Sequence, residues 1–169
     1  MKFLQAGLLM LTLWWTGAQA ASLRAAVFDF ELDDTSLEGA MKGTDAAEQA
    51  RLAQLDVQLR DVLTRSGKYT LVDMAPIAAQ ARTTDLQACD ACAISLAHKV
   101  GAQVAITGWV QKVSNLILNI NLEIRDVATG RIVQGGSVDI RGDTDESWSR
   151  GLAFLIPRLH LTTDRQPAR

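Results

Sequence analysis

The second half of the chain alternates apolar and polar residues with a period of two. The segment Asn115–Arg125 has apolar residues at all its even positions and polar residues at most of its odd ones, and Gln103–Lys112 shows related alternation. Successive side chains of a strand point to opposite faces of a sheet, so the pattern predicts strands with one buried and one wet face. The turn Ala128–Gly130 then leads into a third strand, Arg131–Arg141, which completes an antiparallel meander.

The first half of the chain combines short apolar runs with helical periodicity. Leucines in the segment Asp45–Ser66 recur three and four residues apart, which predicts an amphipathic helix that ends at Gly67. Pro76 is suited to the first turn of a further helix. The other predicted elements are strands at Arg24–Phe30 and Tyr69–Asp73, a long acidic loop at Glu31–Gly43, and helices at Ile77–Ala81, Asp85–Val100 and Asp145–Leu159.

This order of elements predicts an α/β (α+β) fold of two layers. We expect a mixed five-stranded sheet with helices on one face, the other face open, and the antiparallel meander at the C-terminal end. No internal repeat or linker divides the chain, so we expect a single domain over residues 21–169. A domain of this size can bury a core without a metal or a dense disulfide framework. The polar tail, residues 162–169, is expected to be disordered.

The first twenty residues have the organisation of a secretory signal peptide. Lys2 precedes the apolar run Gly7–Trp15, and the small residues Ala18-Gln19-Ala20 fit a cleavage site between Ala20 and Ala21. The apolar run is much shorter than the roughly twenty residues that a membrane-spanning helix needs. The sequence therefore predicts a secreted, periplasmic product that has no transmembrane span in its mature form.

Charge and motif content narrow the range of functions. The formal net charge is −2 and no basic stripe is present, which argues against nucleic acid as a partner. The serines stand in no G-x-S-x-G context, no glycine loop for phosphates is present, and the chain has only two histidines. We therefore expect no catalytic residues and no cofactor, and we rank binding ahead of catalysis.

Several segments resemble a known group of envelope proteins. The strand Val27–Phe30, the run Gly101–Lys112 and the run Leu122–Arg131 resemble the TolB N-terminal-domain-like group, which includes the cores of CsgG-type proteins. Within this group, the stretch Trp109–Trp148 resembles a family of small secreted bacterial proteins of unknown function (DUF). The resemblance implies a TolB N-terminal-like fold and a periplasmic module that binds other envelope proteins.

The same resemblance has limits and adds one hint. It does not extend to the β-propeller of TolB or to the lipid-attachment cysteine of CsgG-type proteins, so it implies neither translocation nor pore formation. Relatives of the family are associated with gene neighbourhoods for periplasmic quinoprotein alcohol oxidation. This association implies a pathway and not a mechanism.

The pair Cys89 and Cys92 is the first candidate for chemistry. Two thiols three residues apart can close a small disulfide in an oxidising compartment, and a structural disulfide is the favoured interpretation. A thiol-redox pair of the C-x-x-C kind and a metal-ligating pair are the alternatives.

The acidic segment after the first strand is the second candidate. Its carboxylates offer hard oxygen ligands for a cation, but the spacing lacks the glycine and glutamate of an EF-hand. A solvated loop is the favoured interpretation, so we predict no metal site. The weak candidate ligands are Asp29, Glu31, Asp33 and Asp34.

The third candidate is the open face of the sheet, where a tryptophan is surrounded by amides and charges. Such a surface is typical of a protein-binding patch, although an ordinary wet face with its tryptophan covered is the alternative. The candidate residues are Thr107, Trp109, Gln111, Asn119, Asn121, Glu123, Arg125, Asp139 and Arg141.

Together these features predict a non-catalytic accessory protein of the periplasm that binds an envelope or periplasmic protein. The alternative is a thiol-redox or metal-handling accessory factor that uses Cys89 and Cys92, for example beside a periplasmic quinoprotein oxidoreductase. The sequence leaves the partner and the oligomeric state open.

Overall fold

The computed structural model describes residues 21–89 and 91–162. The predicted signal peptide and residues 163–169 of the predicted tail lie outside the described residues, which start at Ala21. The strands are β1 (Leu23–Val27), β2 (Glu31–Asp34), β3 (Tyr69–Leu71), β4 (Val104–Ser114), β5 (Ile117–Asp126) and β6 (Ile132–Ile140). The helices are α1 (Leu37–Lys42), α2 (Ala46–Ser66), α3 (Ala78–Arg82), α4 (Cys92–Lys99) and α5 (Asp145–Arg158).

The six strands form one sheet in the order β3-β1-β4-β5-β6, and β2 also pairs with β4. The pairings of β1 with β3 and of β1 and β2 with β4 are parallel, whereas β4, β5 and β6 form the antiparallel meander. β1 pairs with the first residues of β4 and β2 pairs with residues near its end. β1 and β2 are therefore two parts of one interrupted strand along the same edge of β4.

Side chains of α2 satisfy the backbone where this strand is interrupted. Asp56 Oδ1 accepts a hydrogen bond from the Phe30 backbone N–H at 2.8 Å. Arg60 Nη2 donates to the Val27 carbonyl at 3.0 Å and to the Asp29 carboxylate at 2.6 Å. Backbone groups withdrawn from water need such partners, so these two side chains replace ladder bonds that the interruption removes.

The main core lies between the sheet and the helices α2 and α5. The even-numbered apolar side chains of β4 and β5 lie on the inner sheet face and pack against the leucines of α2 and against Trp148, Leu152 and Leu155 of α5. A capping box between Asp45 and Glu48 starts α2 and satisfies its first free N–H groups.

A smaller apolar cluster covers part of the opposite side, the outer sheet face. Ala26 and Phe28 of the interrupted strand and Ala105 of β4 pack there against α4 and the segment before it. The odd-numbered side chains farther along β4 and on β5 are mostly polar and at least partly exposed. Helix packing therefore covers one end of the outer face and leaves the meander end accessible.

The α/β class, the mixed sheet and the C-terminal meander are confirmed. Two details differ from the prediction. The sheet has six strands instead of five, because Glu31–Asp34 pairs with β4 although its acidic residues are poor strand formers. Helices lie on both faces instead of one, because α4 presents the small residues Ala93 and Ala97 to the outer face.

Over residues 21–89 and 91–162, no helix has the length and apolar character that crossing a membrane requires.

Candidate functional site

The outer sheet face brings most of the predicted surface residues together. Cross-strand pairing aligns side chains of β2, β4, β5 and β6 in two adjacent rows. The rows are Glu31–Trp109–Asn121–Ser137 and Asp33–Gln111–Asn119–Asp139. Four strands therefore present a continuous polar surface with one tryptophan within it.

Local hydrogen bonds hold several of these side chains in place. Asn119 Nδ2 donates to Asp139 Oδ1 at 2.8 Å across β5 and β6. Arg125 forms an ion pair with Glu123 on the same strand, at 3.0 Å between Nη2 and Oε2. Trp109 is half-buried and Gln111 is exposed. A half-buried tryptophan near the hydrogen-bonded Asn119 amide offers a surface that a partner can bind at little cost in conformational entropy.

Two of the predicted residues occupy different positions from those expected. Thr107 is only 8% exposed, because it is next on this face after Ala105, where the outer apolar cluster packs. It is therefore a buried residue and not part of an accessible surface. Arg141 follows the end of β6, and its carbonyl accepts a hydrogen bond from Ser147 of α5, so it lies beside the two rows.

Cys89 and Cys92 form a disulfide in the structure, with their Cα atoms 5.4 Å apart. The Cys89 carbonyl also accepts a hydrogen bond from the Cys92 N–H at 3.2 Å, so the bridge closes a single turn. Cys92 is the first residue of α4 and packs against the outer apolar cluster. The bridge therefore fixes the entry of the chain into α4.

The four acidic residues considered as cation ligands are dispersed. Asp29 is exposed and pairs with Arg60, and Asp33 is exposed on the outer face. Glu31 accepts a hydrogen bond from the Leu86 N–H at 3.0 Å, and burial raises the pKa of Glu31. Asp34 lies on the inner side of the sheet, 3.8 Å from Lys112 Nζ. Among the described residues, no three His, Cys, Asp or Glu side chains are arranged to hold a metal ion.

A buried ionic cluster lies on the inner sheet face near the C-terminal end of β4, and the sequence did not predict it. Lys112 is 2% exposed and its Nζ donates to Glu48, which is equally buried. Asp34 and Asp143 each place an oxygen 3.8 Å from the same Nζ. The sequence carried one signal, since Lys112 stands at an even, inward-facing position of β4.

Arg51 and Trp148 extend this cluster towards α5. Arg51 pairs with Asp143 and with Asp145, in each case at 2.9 Å. Trp148 Nε1 donates to Asp143 Oδ1 at 2.9 Å. Burial raises the pKa of Asp143, and Arg51 and Lys112 partly oppose that shift. For Lys112, burial alone would lower the pKa, but the hydrogen bond and charge of Glu48 and the other carboxylates raise it above the usual value.

A cavity of about 720 Å³ opens beside the ionic cluster, and we call it the acidic cavity. Its carboxylates are Asp34, Glu38, Asp45, Glu48 and Asp143. Its cations are Lys42, Arg51 and Lys112. Carboxylates therefore outnumber cations around this space.

Three solved structures show the same fold at low sequence identity. The C-terminal domain of LpoB from Salmonella enterica is 22% identical, with a TM-score of 0.50, over 73% of this chain and 86% of that one. The corresponding domain from Escherichia coli is 19% identical, with a TM-score of 0.52, over 74% and 87%. A PelC dodecamer from Paraburkholderia phytofirmans is 12% identical, with a TM-score of 0.52, over 88% and 94%. At these identities the likeness shows the fold alone.

Sequence comparison assigns the family. No curated protein sequence matches the chain. A family model described as "Protein of unknown function (DUF2380)" and named DUF3280 matches residues 23–159, which include every strand and every helix of the structure. The expectation of a family of unknown function is therefore confirmed, and the chain belongs to the DUF3280 family.

Proposed function

We propose that this chain is a non-catalytic accessory protein of the bacterial periplasm that binds an envelope or periplasmic protein. The observation that carries the proposal is the meander end of the outer sheet face, where four strands present two rows of polar side chains around Trp109. Aromatic residues within a polar surface are frequent centres of protein interfaces.

Two further features support the periplasm as the compartment. The first twenty residues follow the signal-peptide pattern. The Cys89–Cys92 disulfide is of a kind that persists in oxidising compartments and is rare in the cytosol. The resemblance to the TolB N-terminal-domain-like group, which rests on the runs around Gly101 and Leu122, favours the same location and a binding role.

The contacts within the buried ionic cluster support a structural role for the charged residues that form it. Lys112 contacts three carboxylates and Asp143 also accepts from Trp148, so these groups serve as partners for each other. Catalytic groups, in contrast, are usually held within reach of a substrate with a pKa matched to proton transfer. Binding by the outer face therefore remains the function that the geometry favours.

One observation favours the thiol-redox alternative as a second candidate. Cys92 opens α4, and the positive end of a helix dipole stabilises a thiolate at such a position. In this alternative the pair would cycle between disulfide and dithiol while serving a periplasmic oxidoreductase.

Site-specific photocrosslinking in the periplasm tests the binding proposal. A photoreactive amino acid replaces Trp109 or Asn121, and the control replaces Val57, which is 70% exposed on α2. We expect the two outer-face positions to crosslink the same protein and position 57 not to do so. The double variant Trp109→Ala, Asn121→Ala should then lose co-purification of that protein by about tenfold, as expected for a hot-spot residue. A folded double variant that retains the partner as wild type does would overturn the proposal.

A further inference from the structure

A second surface lies at the tip where α1 meets the turn between β4 and β5. Leu37, Met41 and Leu116 are 77%, 76% and 71% exposed, and Val113 is 53% exposed. These four side chains line a groove of about 590 Å³, which we call the tip groove. Leu116 was expected in the core. However, β5 starts only at Ile117, so Leu116 belongs to the preceding turn and its side chain is directed outward.

The concentration of apolar side chains at this tip is unusual for a wet surface. With Ile117, it holds five of the ten strongly exposed large apolar side chains in the described ranges. Singly scattered exposed apolar residues are normal, whereas a contiguous patch marks an interaction site. The tip groove therefore has the character of a binding surface.

The tip groove is continuous with the acidic cavity. Glu38, Lys42, Asn115 and Leu116 line both spaces. Glu38 lies at the junction, where its carboxylate accepts from Asn115 Nδ2 at 2.6 Å and pairs with Lys42 at 3.1 Å. An apolar surface therefore leads directly into a space whose walls carry five carboxylates and three cations.

One buried carboxylate oxygen in the acidic cavity is without a hydrogen-bond donor in the described part of the chain. Asp34 Oδ1 accepts from the Ser36 N–H at 2.9 Å, but Oδ2 has no donor, and Lys112 Nζ is 3.8 Å away. The Asp34 side chain is 10% exposed. Lys112 is the cation for this carboxylate and also for Glu48 and Asp143, so the cavity keeps an excess of negative charge that favours a cation in its open part.

We propose that the tip groove and the acidic cavity together bind a peptide segment of a partner protein in which apolar side chains adjoin a lysine or arginine. The apolar side chains pack on Met41 and Leu116, and the cationic head group enters the cavity towards Glu38 and Asp34. The excess of carboxylates excludes nucleic acid and disfavours acidic peptides. The occupant is therefore defined by apolar contact and positive charge together.

Fluorescence anisotropy with labelled octapeptides tests this proposal on the chain without its first twenty residues. The probe alternates leucine and lysine, and matched probes replace every lysine by glutamate or every leucine by serine. We expect wild type to bind the leucine–lysine probe about tenfold more tightly than either matched probe, and added salt to weaken that binding.

Variants locate the binding site. Met41→Ser and Leu116→Ser should each weaken binding of the leucine–lysine probe by about tenfold, whereas Val57→Ser, at an exposed valine of α2, should not. Asp34→Asn keeps the acceptor for Ser36 and removes one negative charge from the cavity wall, and it should weaken binding severalfold. Equal binding of the glutamate probe, or equal loss in Val57→Ser, overturns the proposal. So does a mass that doubles with concentration while no probe binds, because a second copy then occupies the groove.

Discussion

Lys112 shows how one residue can contradict the general pattern of a strand. Its even-numbered position on β4 places it on the apolar inner face, where a lysine is unexpected. Three carboxylates, from β2, α2 and the turn before α5, lie close to it there. The parity could be read from the sequence. Its partners could not, because they lie far apart along the chain and only the tertiary fold brings them together.

Removing the Lys112 charge should destabilise the fold strongly. Lys112→Met leaves Glu48 and its neighbours buried without their cation, which should cost about 3–5 kcal/mol. Urea unfolding followed by circular dichroism measures this loss. Lys42→Met, at an exposed ion pair on the same cavity, is the control and should change stability by less than about 0.5 kcal/mol. Adding Glu48→Gln should recover part of the loss. Equal stability of the two lysine variants would contradict the prediction.

Asp56 should make stability depend on pH in the weakly acidic range. Burial raises the pKa of Asp56 from 3.8 to about 6, so the folded state binds this proton more tightly than the unfolded chain does. The free energy of unfolding should therefore fall as pH rises from about 4 to about 6, by up to about 3 kcal/mol from this group.

The variant Asp56→Asn isolates this contribution. Asparagine keeps an acceptor for the Phe30 N–H but cannot titrate, so the decline of stability across this pH range should become shallower. Urea unfolding at a series of pH values provides the measurement. Asp61→Asn changes an exposed carboxylate of the same helix and should keep the wild-type slope. Identical slopes for wild type and Asp56→Asn would refute the assignment.

At the scale of elements, the sequence predicted the meander and the long helix well, because each repeats its apolar residues with a clear period. β2 was missed because its carboxylates mask the strand pattern, and only the parallel pairing with β4 makes it a strand. The helix predicted from Asp85 starts only at Cys92, because residues 86–88 form bends. Glu31 and Asp85 stabilise these bends by accepting the backbone N–H groups of Leu86 and Ala88.

Close packing of β4 against the interrupted strand makes Gly108 sensitive to substitution. A Cβ atom on Gly108 would lie 2.4 Å from the Phe30 ring, which is itself buried in the main core. Gly108→Ala should therefore cost about 1–3 kcal/mol through overpacking. Gly135→Ala on β6, where the nearest atom is 3.5 Å from the added Cβ, is the matched control. Thermal unfolding compares the two, and equal melting temperatures would contradict the packing argument.

The disulfide should stabilise the turn that leads into α4. Replacing both cysteines by serine opens a loop of only four residues, so the loss should be about 2 kcal/mol in the chain-entropy model. Intact mass with and without alkylation should show no free thiol in the protein isolated from its native cells. Free thiols that titrate well below about 8.5 would instead favour the thiol-redox alternative.

At the scale of the whole molecule, the candidate surfaces differ in how far the sequence revealed them. The outer face followed from strand parity, because residues such as Trp109 and Asn121 alternate with the core. The tip groove did not, because its residues come from a short helix and a turn that have no periodicity. Tertiary structure alone brings Met41 and Leu116 to the same groove.

The sheet order also predicts an order of folding. The meander pairs neighbouring segments, whereas β1 must find β4 across 79 residues, so β1 should join after β4, β5 and β6 have paired. Pulse-labelled hydrogen exchange during refolding should therefore protect amides of β5 before those of β1. Simultaneous protection of both strands would contradict this order.

During synthesis, the interrupted strand is therefore made well before β4, the strand with which it pairs. Its apolar residues, from Ala25 to Phe30, are synthesised before β4, because Ala25 pairs with Val104, which lies much later in the chain. Until β4 arrives, this segment is an unpaired, aggregation-prone edge. Asp29, Glu31 and Asp33 lie in and just after that segment. Their charges, which mask the strand pattern in the sequence, oppose aggregation of the chain before it has folded.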